Sequence, residues 1–131
     1  MASTTLNTIL MVEDEADIQT IAKLALESVG GFTVEICSSG LEAIQTAPTV
    51  APDLILLDVM MPGMDGLETF KALREIPELA DTPVIFMTAK VQSYEIAQYI
   101  EMGALDVVSK PFDTMTLSGT ITSIWGQHHG E

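Results

Sequence analysis

Five short apolar runs, each followed by a segment with helical periodicity, constrain the fold of this chain more than any other feature of its sequence. The runs span residues 8–12, 32–37, 54–57, 84–87 and 104–108, and only the second alternates clearly between apolar and polar positions. Near-continuous apolar strands are typical of a parallel sheet that is buried on both faces. The strand-then-helix order, repeated five times, therefore predicts an α/β fold with helices on both faces of an open parallel sheet.

The helical segments follow these runs, and we predict helices over residues 17–29, 40–47, 67–76, 91–102 and 113–125. The first helix has an apolar side formed by Ile18, Ile21, Ala22, Ala25, Leu26 and Val29. Gly30 and Gly31 provide its C-terminal stop.

Length and composition indicate one soluble domain. A chain of 131 residues, 47% of them hydrophobic, suits a single core, so we expect one domain over residues 1–131. Its core spans about residues 7–125, between short flexible termini. The net charge of −14 argues against direct binding to nucleic acid or to anionic membranes. With one cysteine, Cys37, and no apolar run near the roughly 18 residues of a membrane helix, we expect a cytoplasmic protein.

Polar side chains that follow the apolar runs are the candidate functional residues, because ligands of open parallel sheets bind beyond the carboxyl ends of the strands. Glu13 and Asp14 follow the first run, Asp58 the third, Thr88 the fourth and Lys110 the fifth. Each has an ordinary explanation alone, such as a helix cap or a solvated lysine, but an acid that ends an apolar strand rarely lacks a partner. We predict that the five side chains converge.

Clustered carboxylates suit a hard divalent cation such as Mg²⁺, which neutralises their mutual repulsion. We predict Asp14 and Asp58 as direct ligands and Glu13 as a ligand through water. Such a site is suited to placing a phosphoryl group on Asp58. Mg²⁺ and Lys110 would neutralise the phosphoryl oxygens, and Thr88 would donate a hydrogen bond to one of them.

Four segments carry a resemblance to a known family: ILMVEDE at residues 9–15, DVMMPGMDG at 58–66, MTA at 87–89 and SKPF at 109–112. With these motifs in order, the chain resembles a receiver domain of two-component response regulators, of the single-domain chemotaxis type. The resemblance implies a flavodoxin-like, three-layer (βα)5 fold with sheet order 2-1-3-4-5. It also implies a cis peptide before Pro111 and a metal ligand from the Met60 backbone carbonyl.

The same resemblance implies a function. A histidine kinase or a phosphotransfer protein would phosphorylate Asp58 with Mg²⁺, and the modified surface would bind a downstream protein target non-covalently. The domain would not be an enzyme beyond weak self-dephosphorylation, would be a monomer or weak dimer, and would carry no output domain of its own.

Two positions depart from the family pattern. Glu13 replaces the commoner aspartate, and Val107 stands where members usually carry a tyrosine or phenylalanine that turns inward as the residue matching Thr88 moves. We expect the chemistry to survive both changes. We expect either a smaller rearrangement of the surface formed by the fourth helix, the fifth strand and the last helix, or a switch that depends on neighbours such as Tyr94 or Met87.

Other functions remain open at this point. A haloacid-dehalogenase-like hydrolase of the aspartyl-phosphate type would need a second acid two residues after Asp58, where Met60 stands. A flavin or nucleotide module would need a phosphate-binding loop after the first strand, where the acidic residues 13–15 repel phosphate. A degenerate receiver would act as a scaffold only.

Two further groups of residues were considered. Leu24 and Ile18 are candidates for a docking patch, although single exposed leucines are common. A metal role for the adjacent His128 and His129 is disfavoured by their spacing.

Overall fold

A computed structural model of the chain describes residues 6–89 and 92–128, and over that part the predicted alternation of strands and helices is confirmed. The strands are β1 (Thr8–Val12), β2 (Thr33–Cys37), β3 (Leu54–Asp58), β4 (Val84–Thr88) and β5 (Asp106–Ser109). The α-helices are α1 (Ala16–Leu24), α2 (Gly40–Val50), α3 (Gly66–Arg74), α4 (Ser93–Met102) and α5 (Leu117–His128). All strands pair in parallel in the order β2-β1-β3-β4-β5, as predicted.

The sheet separates two apolar clusters. The cluster under α2, α3 and α4 takes alternate strand residues, among them Leu10, Val12, Ile55, Leu57, Val84 and Phe86. The cluster under α1 and α5 takes the intervening ones, among them Ile9, Met11, Leu54, Leu56, Ile85 and Met87. Each aliphatic side chain buried in this way contributes about 1.5–3 kcal/mol relative to an exposed one. Burial on both faces explains why the central strands lack a polar alternation.

The first predicted helix is divided in the structure. An α-helix ends at Leu24, and residues Ala25–Val29 form a π-helical turn before Gly30. A Cβ at Gly30 would lie 2.7 Å from the Ser118 Cβ, so this end of the segment packs closely against α5. The buried side is narrower than the sequence pattern indicates, because Ile21 and Val29 are exposed while Ala22, Ala25 and Leu26 are buried.

Several predicted boundaries also move, for identifiable reasons. Helix α2 continues through Pro48 to Val50 and closes on Ala51, whose φ of 51° is left-handed and whose N–H donates to the Ala47 carbonyl. The last helix begins at Leu117 because Asp113 forms a turn, in which its side chain accepts from the Met115 N–H. A 3-10 turn, Pro77–Leu79, follows α3 and was not predicted.

Other predictions concern single residues. Cys37 and Trp125 are buried, as expected for a small apolar residue and a helix anchor. Helix α5 continues to His128, three residues beyond the predicted end of the core. The rest of the predicted flexible termini, Val91 and His129 lie outside the described residues, as does the side chain of His128. Within the described residues, no helix is long and apolar enough to cross a membrane.

Candidate functional site

Asp58 is the last residue of β3, and its carboxylate is almost completely buried at the carboxyl edge of the sheet. Two donors hold it. The Met60 N–H donates to Oδ1 at 3.2 Å, and the Lys110 ammonium lies 3.2 Å from Oδ2. A buried carboxylate that ends an apolar strand is thus partnered, as the sequence predicts.

Glu13 and Asp14 follow β1, which is the direct neighbour of β3 in the sheet. One carboxylate oxygen from each of Glu13, Asp14 and Asp58 lies within 4.8 Å of the others. The Glu13 side chain is fully buried, whereas Asp14 is more open to solvent. Three carboxylates therefore meet at one edge, and such an all-oxygen set matches the ligand preference of Mg²⁺.

Lys110 connects the edges of the site. It follows β5, precedes Pro111 through a cis peptide bond as expected, and donates its backbone N–H to the Thr88 carbonyl at 3.0 Å. Its ammonium donates to Glu13 Oε1 at 2.9 Å in addition to its contact with Asp58.

Thr88 ends β4 and is buried. Its neighbour Met87 is the register partner of Asp58, and Thr88 itself pairs with Ser109, the residue before Lys110. The five predicted side chains thus lie at the same edge of the sheet, and their individual roles remain predictions.

The electrostatics of the cluster favour a bound cation. Burial raises the pKa of the Glu13 carboxyl, and the nearby charge of Asp58 adds to this effect, while the hydrogen bond from Lys110 opposes it. Burial alone would lower the pKa of Lys110, but its hydrogen bond to Glu13 and the charge of Asp58 outweigh burial and raise it. Lys110 therefore stays protonated, and within residues 6–89 and 92–128 it is the cation that contacts this group of carboxylates.

Two supporting residues were missed from the sequence. Gln19 of α1 donates from Nε2 to the Glu13 carbonyl at 2.6 Å and to Ser38 Oγ at 3.1 Å, so it ties the acidic loop to the end of β2. Its place on a polar helix side predicts only solvent exposure. Gly66 opens α3, and a Cβ there would overlap the Asp58 carbonyl oxygen. The second glycine of the DVMMPGMDG segment was the available signal for this close approach.

Val107, which stands where the family usually has an aromatic residue, has aromatic neighbours. Val107 is half-buried and is the register partner of Phe86, whose ring packs edge-to-face against Tyr99 of α4 with centroids 5.2 Å apart. Of the two neighbours suggested from the sequence, Tyr94 is 65% exposed. Met87 is buried in the cluster on the other face of the sheet.

Known proteins share both the sequence and the fold. A family model described as response regulator receiver domain matches residues 9–122. The alkaline phosphatase synthesis transcriptional regulatory protein PhoP of Bacillus subtilis is 38% identical over 116 residues, which are 88% of this chain and 47% of PhoP. The transcriptional regulatory protein CpxR of Escherichia coli is 36% identical over 124 residues, 95% of this chain and 51% of CpxR. The chain thus spans about half the length of these relatives.

Solved structures give the same result. The chemotaxis response regulator CheY4 of Vibrio cholerae superposes with a TM-score of 0.83 at 30% identity, covering 92% of this chain and 99% of CheY4. A receiver domain of a signal transduction histidine kinase from Syntrophus aciditrophicus gives 0.77 at 31% identity, covering 92% of this chain and 91% of that domain. The strand order and these likenesses establish the flavodoxin-like fold. The chain belongs to the response regulator receiver domains, the signalling modules of two-component systems.

Proposed function

We propose that Asp58 accepts a phosphoryl group from a phosphohistidine of a histidine kinase or phosphotransfer protein. An Asp58 carboxylate oxygen attacks phosphorus, the phosphorus–nitrogen bond breaks, and the imidazole leaves with its electron pair and takes up a proton. The aspartyl phosphate then changes the surface that a downstream protein target binds. Self-dephosphorylation by water is slow, so the phosphorylated state lasts long enough to act as a signal. The domain works in the cytoplasm as a monomer or weak dimer.

The observation that carries this proposal is the position of the Lys110 ammonium. It contacts both Asp58 and Glu13, at 3.2 and 2.9 Å, at the edge where three carboxylates meet. A lysine held there can transfer its contacts from the carboxylates to an incoming phosphoryl group. Thr88, at the end of the adjacent strand, would donate a hydrogen bond to the same group.

The donor set also fits a divalent cation. Asp14, Asp58 and the Met60 backbone carbonyl would hold Mg²⁺ directly, and Glu13 would reach it through water, because its oxygens already accept from Lys110 and from the Glu15 N–H. When bound, Mg²⁺ supplies neutralisation of the charge that gathers around phosphorus.

An apolar notch beside the site supports docking of a phosphodonor protein. Its volume is about 100 Å³, and Ile18, Ile21, Pro111 and Phe112 line it together with Lys110. Leu24, one helical turn further along α1, is 63% exposed. A partner that covers these side chains would bring its reactive group close to Asp58 and remove apolar surface from water.

The hydrolase alternative is less well supported. The position two residues after Asp58 holds Met60, whose side chain is 62% exposed and offers no acid to protonate a leaving group. Its N–H instead donates to Asp58.

A small acyl phosphate with and without Mg²⁺ tests the proposal. We expect intact-mass spectrometry to find one added phosphoryl group on the native chain only when Mg²⁺ is present, and none on Asp58→Asn. Asp53→Asn is a matched control, because Asp53 precedes the same strand at its other end. Equal labelling of Asp58→Asn and the native chain would refute the assignment.

A further inference from the structure

Helix α4 has one buried side chain, while Glu95 and Ile96 are half-buried. Of its residues Ser93–Met102, Tyr99 alone is buried, at 9% exposure. Tyr94 and Ile100, on the same helix, are 65% and 46% exposed. A helix with little buried area is sensitive to the contacts of its largest buried side chain.

The contact that Tyr99 makes belongs to a chain of rings. Its ring packs against Phe86 of β4 at 5.2 Å and 85°, and Phe86 packs against Phe70 of α3 at 5.3 Å and 78°. The Arg74 guanidinium covers the Phe70 ring at 4.8 Å and donates to the carbonyls of Leu79 and Thr82. Edge-to-face pairs of this kind stabilise the packing beyond the area they bury. Phe86 is therefore the central ring between α3 and α4, and the α3 end of the series is also held by Arg74.

Strand β4 connects these rings to the candidate site. Phe86 and Thr88 are two residues apart on one strand, so their side chains lie on the same face of the sheet. Val107, the partner of Phe86 on β5, packs in the same cluster but is too short to add a ring. Tyr99 also borders a cleft of about 560 Å³ with the loop after Asp58, including Met60.

We propose that Tyr99 is the positioning residue that couples helix α4 to the phosphoacceptor site, acting through Phe86 of β4 and the loop after Asp58. The inference rests on the proposed function and extends it, since it names the side chain that carries the response to α4. It does not require a ring at position 107. The coupling depends on the Tyr99 ring and not on its hydroxyl, so phenylalanine at this position preserves it.

Hydrogen exchange of the full chain with Mg²⁺, with and without beryllofluoride, tests the proposal. Beryllofluoride stands for the phosphoryl group, and its binding is followed separately by ¹⁹F NMR. We expect the ligand to change exchange across residues 93–102 of the native protein by at least about threefold. Tyr99→Phe keeps the change, Tyr99→Ala binds beryllofluoride but loses the change, and the exposed-position control Tyr94→Ala keeps it.

The outcomes separate the two proposals. Failure of the native protein to bind beryllofluoride at Asp58 refutes the proposed function. Binding without any change in α4, or an undiminished change in Tyr99→Ala, overturns the role of Tyr99 alone, and so does an equal loss in Tyr94→Ala. If Tyr99→Ala does not fold, Tyr99→Leu keeps a buried apolar side chain, although a smaller one, without the ring. Loss of the change in that variant supports the proposal, and its retention overturns it.

Discussion

Lys110 and Glu13, 97 residues apart in sequence, are joined by a 2.9 Å hydrogen bond between Nζ and Oε1. The pair links the end of β5 to the end of β1 across the two strands between them. Glu13 is fully buried and the Lys110 side chain is only 14% exposed, so neither charge is well solvated. Each therefore depends on the other.

Removal of Lys110 is expected to destabilise the fold before any chemistry is considered. Lys110→Ala leaves the buried carboxylates of Glu13 and Asp58 without their cation, and we expect the free energy of unfolding to fall by about 2–4 kcal/mol. Urea denaturation without divalent cation measures the loss. Lys71→Ala, at an exposed lysine on α3, is the matched control and should change the free energy by no more than about 0.5 kcal/mol. Equal effects would contradict the structural importance of the ion pair.

Metal affinity should depend on Asp14 more than on Glu13. Asp14→Ala removes a proposed direct ligand, whereas Glu13→Gln changes a side chain whose oxygens accept from Lys110 and the Glu15 N–H. We expect Asp14→Ala to weaken Mg²⁺ binding by about tenfold or more relative to Glu13→Gln. Calorimetric titration gives both affinities, and comparable losses would argue against this ranking of the ligands.

Alanine substitutions at Gly66 and Gly119 should change the stability of the fold in opposite directions. A Cβ at Gly66 overlaps the Asp58 carbonyl oxygen, so Gly66→Ala should displace the acceptor loop and destabilise the fold by about 1–3 kcal/mol. A Cβ at Gly119 in α5 meets no atom within 4 Å, so Gly119→Ala should stabilise the helix by up to about 1 kcal/mol. Denaturation midpoints of the two variants measure these changes. An unchanged midpoint for Gly66→Ala would show that the loop after Asp58 accommodates a Cβ, against this account.

Cys37 should be unreactive while the chain is folded. Burial raises the pKa of its thiol to about 11, with a smaller contribution from the charge of Glu42. A disulfide reagent at pH 8 should modify the native thiol about 100-fold more slowly than the urea-unfolded one, because the thiolate is the reactive form. The raised pKa favours the folded state below about pH 9, and this contribution is lost as pH rises toward 11. Rapid modification of the native thiol would show that Cys37 is accessible.

The sequence alone predicts the sheet and the location of the site. The apolar runs 8–12, 54–57 and 84–87 lack a polar alternation, which is typical of a parallel sheet covered on both faces, and the strand ends of such a sheet bring the following polar residues together. Gln19 and the rings at Tyr99 and Phe86 were not predicted as partners. Hydrophobic periodicity places a residue on one side of a helix, but it does not specify which side chain of another element it meets.

Helix details were predicted less well for a related reason. The π-helical turn Ala25–Val29 ends beside Gly30, which packs closely against α5, and hydrophobic periodicity does not report such a tertiary contact. Helix α2 continues to Val50 although Pro48 lacks the N–H that would donate to the carbonyl four residues earlier, whereas a proline in a helical pattern normally predicts the end of the helix.

The most direct test of the proposed function is to locate the phosphoryl group after transfer from a phosphohistidine donor with Mg²⁺. Borohydride reduces an aspartyl phosphate to homoserine, and peptide mass spectrometry then identifies the modified position. We predict homoserine at position 58 alone, with unmodified carboxylates at Glu13 and Asp14. Modification at either of those residues, or unmodified Asp58 in a protein that has consumed the donor, would contradict the assignment of Asp58 as the phosphoacceptor.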